Sequence, residues 1–130
     1  MSRALFVLVL FPLSGCFGDE SVSAYGAADQ TWQLQELDGQ PFAATATLTF
    51  PDPKTASGNA PCNSYSARFD APYPWFEVGP IALTKRACPD LDTEQEFFAA
   101  LGEMTISEVS GGVLVLSNEA GREMVFKAAD

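Results

Sequence analysis

The feature that most limits this chain is the period of its apolar residues. From Trp32 onward they recur at every second position over short stretches, and Gly, Pro, Asn or Asp cut each stretch after a few residues. Successive side chains of a strand point to opposite faces, so a period of two buries one face of a sheet and cannot build the stripe of a helix. Trp32 and Leu34 alternate with Gln33 and Gln35, and Asp38-Gly39 follows as a hairpin signal. The same reading gives strands over residues 31–37, 46–50, 62–69, 75–78, 81–84, 105–109, 113–116 and 124–127, with residues 52–58 as a polar loop. One segment breaks the pattern. Thr93-Glu94-Gln95-Glu96 has the spacing of a capping box, Phe97, Phe98 and Leu101 form an apolar stripe, and Gly102 suits a helix stop. The expected fold is mainly β (α+β): an antiparallel barrel or half-barrel of about eight short strands, with one helix over an opening or a face.

The N-terminus follows a different rule. Arg3 precedes an apolar run, residues 4–11, that Pro12 stops well short of the roughly 20 residues a membrane-spanning helix needs. Leu13-Ser14-Gly15-Cys16 then places small residues before a cysteine, as at a secretory cleavage site. It also resembles the bacterial lipoprotein box, whose cysteine is acylated and becomes the new N-terminus. The reading divides the chain into a signal peptide over residues 1–15, a Gly-, Ser- and Ala-rich tether over 16–28, and one domain over 29–130. Several acyl chains anchor stably without a polybasic patch. Phe17 follows the cysteine where lipoproteins kept in the inner membrane often carry Asp, so the outer membrane facing the periplasm is expected, with Asp19 and Glu20 as the opposing signal.

Export also sets the chemistry of the cysteines. With Cys16 acylated, Cys62 and Cys88 are left as an even pair in an oxidising compartment, either as a disulfide or as two buried thiols, and the count favours the bond. After Cys16 six basic residues face 17 acidic ones, a net charge of −11. Phosphate contacts need a Lys/Arg surface, so a nucleic-acid partner is excluded, as is electrostatic docking on anionic lipid.

Order and spacing of motifs then add a family. Trp32-Gln33-Leu34, Thr47-Leu48-Thr49-Phe50, Gly58-Asn59-Ala60-Pro61-Cys62-Asn63-Ser64-Tyr65, Gly79-Pro80-Ile81-Ala82-Leu83-Thr84-Lys85-Arg86-Ala87-Cys88, Glu94 to Leu101 and Leu114-Val115-Leu116 occur in sequence. Together they resemble the META (HslJ-like) domain over nearly the whole mature chain. The C-N-x-Y and T-x-x-A-C elements at this separation are the most specific part. Pro61 stands where the family carries Gly, so the turn entering that strand cannot use positive φ here. The resemblance implies a compact antiparallel β fold with a helix, often in exported lipoproteins, with some members linked to stress, antibiotic tolerance or secretion. It brings no catalytic residues and no cofactor.

The residues themselves argue against catalysis. The chain has no His, which removes the usual general base and the commonest metal ligand. No phosphate loop or dinucleotide fingerprint is present. Asp90, Asp92, Glu94 and Glu96 are the carboxylates that a two-carboxylate hydrolase would need, and Asp90-Leu91-Asp92 begins like a calcium loop without its Gly and terminal Glu. Helix capping accounts for Asp92, Thr93 and Glu96 better. Asn63, Tyr65, Thr84 and Arg86 are the polar parts of the specific motifs, either satisfying backbone groups or forming a patch at the mouth of a pocket. Phe42, Tyr73, Trp75 and Phe76 are aromatics near prolines and turns, suited to packing or to a binding surface. The expected function is a non-enzymatic envelope lipoprotein that binds an apolar ligand or another envelope protein, with an assembly accessory for outer-membrane or secretion proteins as the alternative.

Overall fold

The structure, a computed structural model, describes residues 21–129. The signal peptide and Cys16 lie outside the described residues. Among the described residues the strands are β1 Trp32–Leu37, β2 Gln40–Pro41, β3 Thr47–Asp52, β4 Thr55–Asn59, β5 Ser64–Phe69, β6 Val78–Leu83, β7 Ile106–Ser110, β8 Val113–Ser117 and β9 Glu123–Ala128, with one helix, α1, over Leu91–Glu103. The sheet runs β6-β5-β4-β3-β1-β9-β8-β7, and β2 adds a short flap to β1. Every pairing is antiparallel. The expected mainly β half-barrel with one helix is what forms.

The turns show why. Asp38 and Gly39 both have positive φ, 52° and 79°, and Leu37 pairs directly with Gln40. That is the two-residue hairpin whose twist matches the strands, with Gly and Asp at positions where larger residues are strained. Alternation then decides the faces. In β5 the burial runs exposed, buried, exposed, buried, exposed, buried, which puts Tyr65, Ala67 and Phe69 inside. In β9 Met124 and Phe126 are buried between less buried neighbours.

Side chains fill the interior. Trp32, Leu48, Phe69, Phe76, Leu114, Leu116, Met124 and Phe126 are all fully buried, and α1 adds Phe97 and Leu101. Burying one such side chain stabilises by about 1.5–3 kcal/mol. Phe69 sits between Phe50 and Phe76 with ring centroids 5.3 Å from each. Trp32 keeps its indole satisfied by donating from Nε1 to the Ala27 carbonyl at 2.9 Å.

The two ends of the sheet approach one another. The residues leading into β6 run along the outer edge of β7. Phe76 N donates to Thr105 O, Ser107 N donates to Pro74 O, and Trp75 bridges Ile106. The outer edge is therefore paired at Thr105 O and Ser107 N, at the start of β7.

Four elements differ from the sequence expectation. β4 forms where a polar loop is expected. Its Thr55-Ala56-Ser57-Gly58-Asn59 has one buried apolar side chain, Ala56, and is held by full pairing with β5. Gly58 is required there, because a Cβ would overlap the Thr47 carbonyl. β6 runs through Gly79-Pro80, where two shorter strands are expected. Pro lacks a donor, but β6 is the end strand of the sheet and Pro is tolerated at an edge. The helix starts at Leu91 with Asp90 as N-cap and no side-chain cap, so the expected Thr93–Glu96 capping box does not form. Gly102 lies inside the last turn and Met104 is the C-cap. Finally, part of the tether is docked. A 3-10 turn, Val22–Tyr25, is closed by Gly26 at φ 112°, and Val22 and Ala27 are buried in the core.

Candidate functional site

Asn63 and Glu94 form the centre of the two specific motifs. Asn63 opens β5 and is buried. Its Oδ1 accepts from Thr84 Oγ1 at 2.8 Å and from Arg86 N at 2.6 Å. Its Nδ2 donates to Arg86 O at 3.1 Å and to Glu94 Oε2 at 2.7 Å. All four bonding positions of the amide are used, and their polarity fixes which way it points. Glu94, in the first turn of α1, is only 1% exposed. Its Oε1 accepts from the backbone N–H groups of Cys62 and Asn63 at 3.0 and 2.8 Å. A buried carboxylate is costly unless hydrogen-bonded, and this one accepts three bonds.

The same junction carries the disulfide. Cys62 and Cys88 are joined, with their Cα atoms 5.6 Å apart. The bond, the Asn63 amide and the Glu94 carboxylate together tie the start of β5, the segment after β6 and the start of α1. The structure thus brings Asn63, Thr84 and the Arg86 backbone into one network. Tyr65 stands apart from it. Its hydroxyl donates to Thr47 O at 2.6 Å, and its ring meets Phe97 and Phe98 edge-on. Burial pushes its phenol pKa well above the usual value.

Outside the network lies a cleft of about 440 Å³ between residues 83–87 and α1. Leu83, Leu91 and Phe98 line it with apolar surface, Asn63 and Glu94 reach its wall, and Lys85 and Arg86 stand at its rim. Both cationic residues are exposed, and neither side chain makes an ion pair or hydrogen bond among the described residues. Lys54 and Arg122 are paired, with Asp70 and with Asp38 and Glu103, while Arg68 and Lys127 are unpaired too. The cleft therefore offers apolar contact beside two free positive charges, which suits an apolar group ending in a carboxylate.

The carboxylates of α1 are dispersed. Asp90, Asp92 and Glu96 are exposed, and Glu94 alone points inward, with both oxygens engaged. Among the described residues no three His, Cys, Asp or Glu side chains converge on a point that would hold a metal. Of the aromatics near turns, Phe76 is core, Phe42 and Tyr73 are partly buried against it, and Trp75 is 55% exposed.

The role of Glu94 in the network differs from its sequence expectation as one of four candidate carboxylates at the start of α1. The signal was present. Glu94, Phe97 and Leu101 are spaced i, i+3, i+7, so the carboxylate lies on the stripe that faces the core.

The family model of the META domain matches residues 26–130. The chain belongs to the META domain family. Solved structures share the fold of this META domain. A protein from Burkholderia xenovorans, determined by NMR, superposes with a TM-score of 0.66 at 20% identity, covering 92% of this chain and 97% of its own. A crystal structure of a DUF4847 family protein from Bacteroides vulgatus also gives 0.66, at 16% identity, covering 85% and 100%. A comparison of this chain with curated proteins finds no match.

Proposed function

We propose that the protein is a non-enzymatic lipoprotein of the bacterial cell envelope, held through Cys16 on the outer membrane and facing the periplasm. In this reading its META domain grips an apolar, acid-ended segment of another envelope protein in the cleft between residues 83–87 and α1. One observation carries the binding reading: Lys85 and Arg86 are left unpaired beside the apolar wall of Leu83, Leu91 and Phe98. Arg68 and Lys127 are unpaired as well, so it is the apolar wall beside the two charges that marks this place. The packed interior supports a surface site over a ligand held within the half-barrel. The engaged oxygens of Glu94 support the absence of catalysis.

The test is crosslinking in cells. A photoreactive residue at Gln95, which lines the cleft and is exposed, should capture a reproducible partner. Lys85→Glu together with Arg86→Glu should abolish the adduct. An adduct indifferent to charge reversal, or none, refutes the reading. A second reading has its own support, since about 440 Å³ falls in the range of small-molecule sites, roughly 300–1,000 Å³. In that case the occupant is an acyl chain ending in a carboxylate, and native mass spectrometry of the purified protein should show its mass.

A further inference from the structure

We infer that the aromatic strip Tyr25–Tyr73–Trp75 is a seat on the lipid surface, which fixes how the domain stands on the membrane. This inference rests on the lipid anchor at Cys16 proposed above and is independent of the cleft.

Tyr25 and Trp75 are 56% and 55% exposed, the most exposed of the large apolar side chains among the described residues. They come from distant parts of the chain and are brought to one place. Tyr25, in the 3-10 turn, stacks on Tyr73 with ring centroids 4.4 Å apart and planes at 14°. Trp75 lies two residues further along the same strip, bridged to Ile106. The strip is rigid. Trp75 N donates to Pro72 O, and Pro74 O accepts from both the backbone and the hydroxyl of Ser107. Pro72 and Pro74, which flank Tyr73, are also exposed and add apolar surface.

Charge and chain length select the occupant. Residues 21–28 and 71–76, which carry the strip, contain no charged side chain in a strongly acidic protein. Tyr and Trp are the side chains that settle at the headgroup level of a bilayer, because a flat apolar body carries one polar atom. The strip also lies where the anchor ends. Four residues separate Cys16 from Ser21, and an extended chain spans at most about 3.5 Å per step, so over five steps the described domain begins within roughly 18 Å of the acylated residue. The 3-10 turn holding Tyr25 starts at the next residue, Val22, and rises only about 2 Å per residue. A domain on so short a leash keeps this face close to the membrane, and the uncharged rings can enter the interface where an acidic face is excluded.

Trp75 supplies its own probe, because the other tryptophan, Trp32, is fully buried. The full chain is extracted from the membranes of cells expressing it. It is then reconstituted in vesicles of phosphatidylethanolamine and phosphatidylglycerol, with or without brominated acyl chains, and the same preparation is weighed by mass spectrometry. The expected result is an acylated mass, a blue shift of the Trp75 emission, and loss of that emission in brominated vesicles. Trp75→Phe should leave only the unquenched Trp32 signal, and Tyr25→Glu, at an exposed position, should abolish the quenching of Trp75. An acylated protein whose Trp75 is not quenched overturns the inference and leaves the anchor standing. So does quenching that persists in Tyr25→Glu. A blue shift without quenching assigns the strip to a second copy or a protein partner and also overturns it. An unacylated mass removes the anchor itself, and the inference with it.

Discussion

Replacing Glu94 by Gln tests the network with little change of shape. In the wild type Oε1 accepts two backbone N–H groups and Oε2 accepts Asn63 Nδ2 at 2.7 Å. A Gln that keeps its oxygen toward the backbone donors turns its NH2 toward another NH2. Asn63 cannot flip in response, because Oδ1 accepts from Thr84 and Arg86 while Nδ2 also donates to Arg86 O. The reverse Gln rotamer opposes two backbone donors and is worse. The loss is one hydrogen bond to a charged group, about 1.5–3 kcal/mol, plus a stranded buried donor, about 1–3 kcal/mol. The expected destabilisation is therefore about 3–5 kcal/mol. With a urea slope of about 1.5 kcal/mol per molar for a domain of this size, the unfolding midpoint falls by roughly 2–3 M with the slope unchanged. The assay is urea unfolding of the oxidised protein followed by circular dichroism. Glu96→Gln, at an exposed site on the same helix, should stay within about 0.5 kcal/mol. In an Asn63→Ala background the cost of Glu94→Gln should shrink by at least about 1 kcal/mol, since the opposing NH2 is gone. A Glu94→Gln loss below about 1 kcal/mol, or full additivity with Asn63→Ala, would refute the reasoning.

Three further perturbations probe separate parts of the fold. Exchanging both Cys62 and Cys88 for Ser removes a cross-link of sequence separation 26. The chain-entropy model puts the loss at about 3.5 kcal/mol, and alkylation of the native protein should find neither thiol free; two reactive thiols would contradict the bond. Gly58→Ala drives a methyl group into the Thr47 carbonyl. The cost should reach about 1–3 kcal/mol or more, with faster amide exchange along β3 and β4, and an unchanged melting temperature would count against that close approach. Asp38 accepts from the Arg122 guanidinium and from Glu123 N, which holds its carboxyl pKa below the usual value. A lowered folded value means stability that is full above the unfolded pKa of about 3.9 and is lost as pH falls through the folded one. Asp38→Asn should therefore flatten the stability curve below about pH 4. The effect should be under about 1 kcal/mol because the pair is partly solvated, and an unaltered acid limb in a pH titration of urea unfolding would refute it.

What could be read from the residues follows the physics of each element. β1, β5, β8 and β9 announce themselves because half-burial writes a period of two into the sequence, and Asp38-Gly39 because few residues accept positive φ. β4 is silent because its partners hold it, not its own side chains: Thr55, Ser57 and Asn59 have no apolar face to reveal. The break expected at Gly79-Pro80 fails because an edge strand needs fewer donors than a central one. At the site, the motif residues Asn63, Thr84 and Arg86 do meet, and the cysteine parity matched the bond between Cys62 and Cys88. The shared carboxylate was hidden because a charged residue in the first turn of a helix reads as a cap. Only the three-residue step to Phe97 marks it as inward. The cleft was invisible, since no local pattern records the gap between residues 83–87 and α1.

The pairing of Pro74–Phe76 along β7 has a consequence for life at high density. An open strand edge recruits its like, and identical domains at high concentration meet each other constantly. Here the start of one flank is already occupied by the chain itself, and the opposite flank ends in a strand interrupted by a proline that cannot donate. Neither side offers an unbroken ladder for a neighbour to extend, which blunts edge-to-edge pairing between copies.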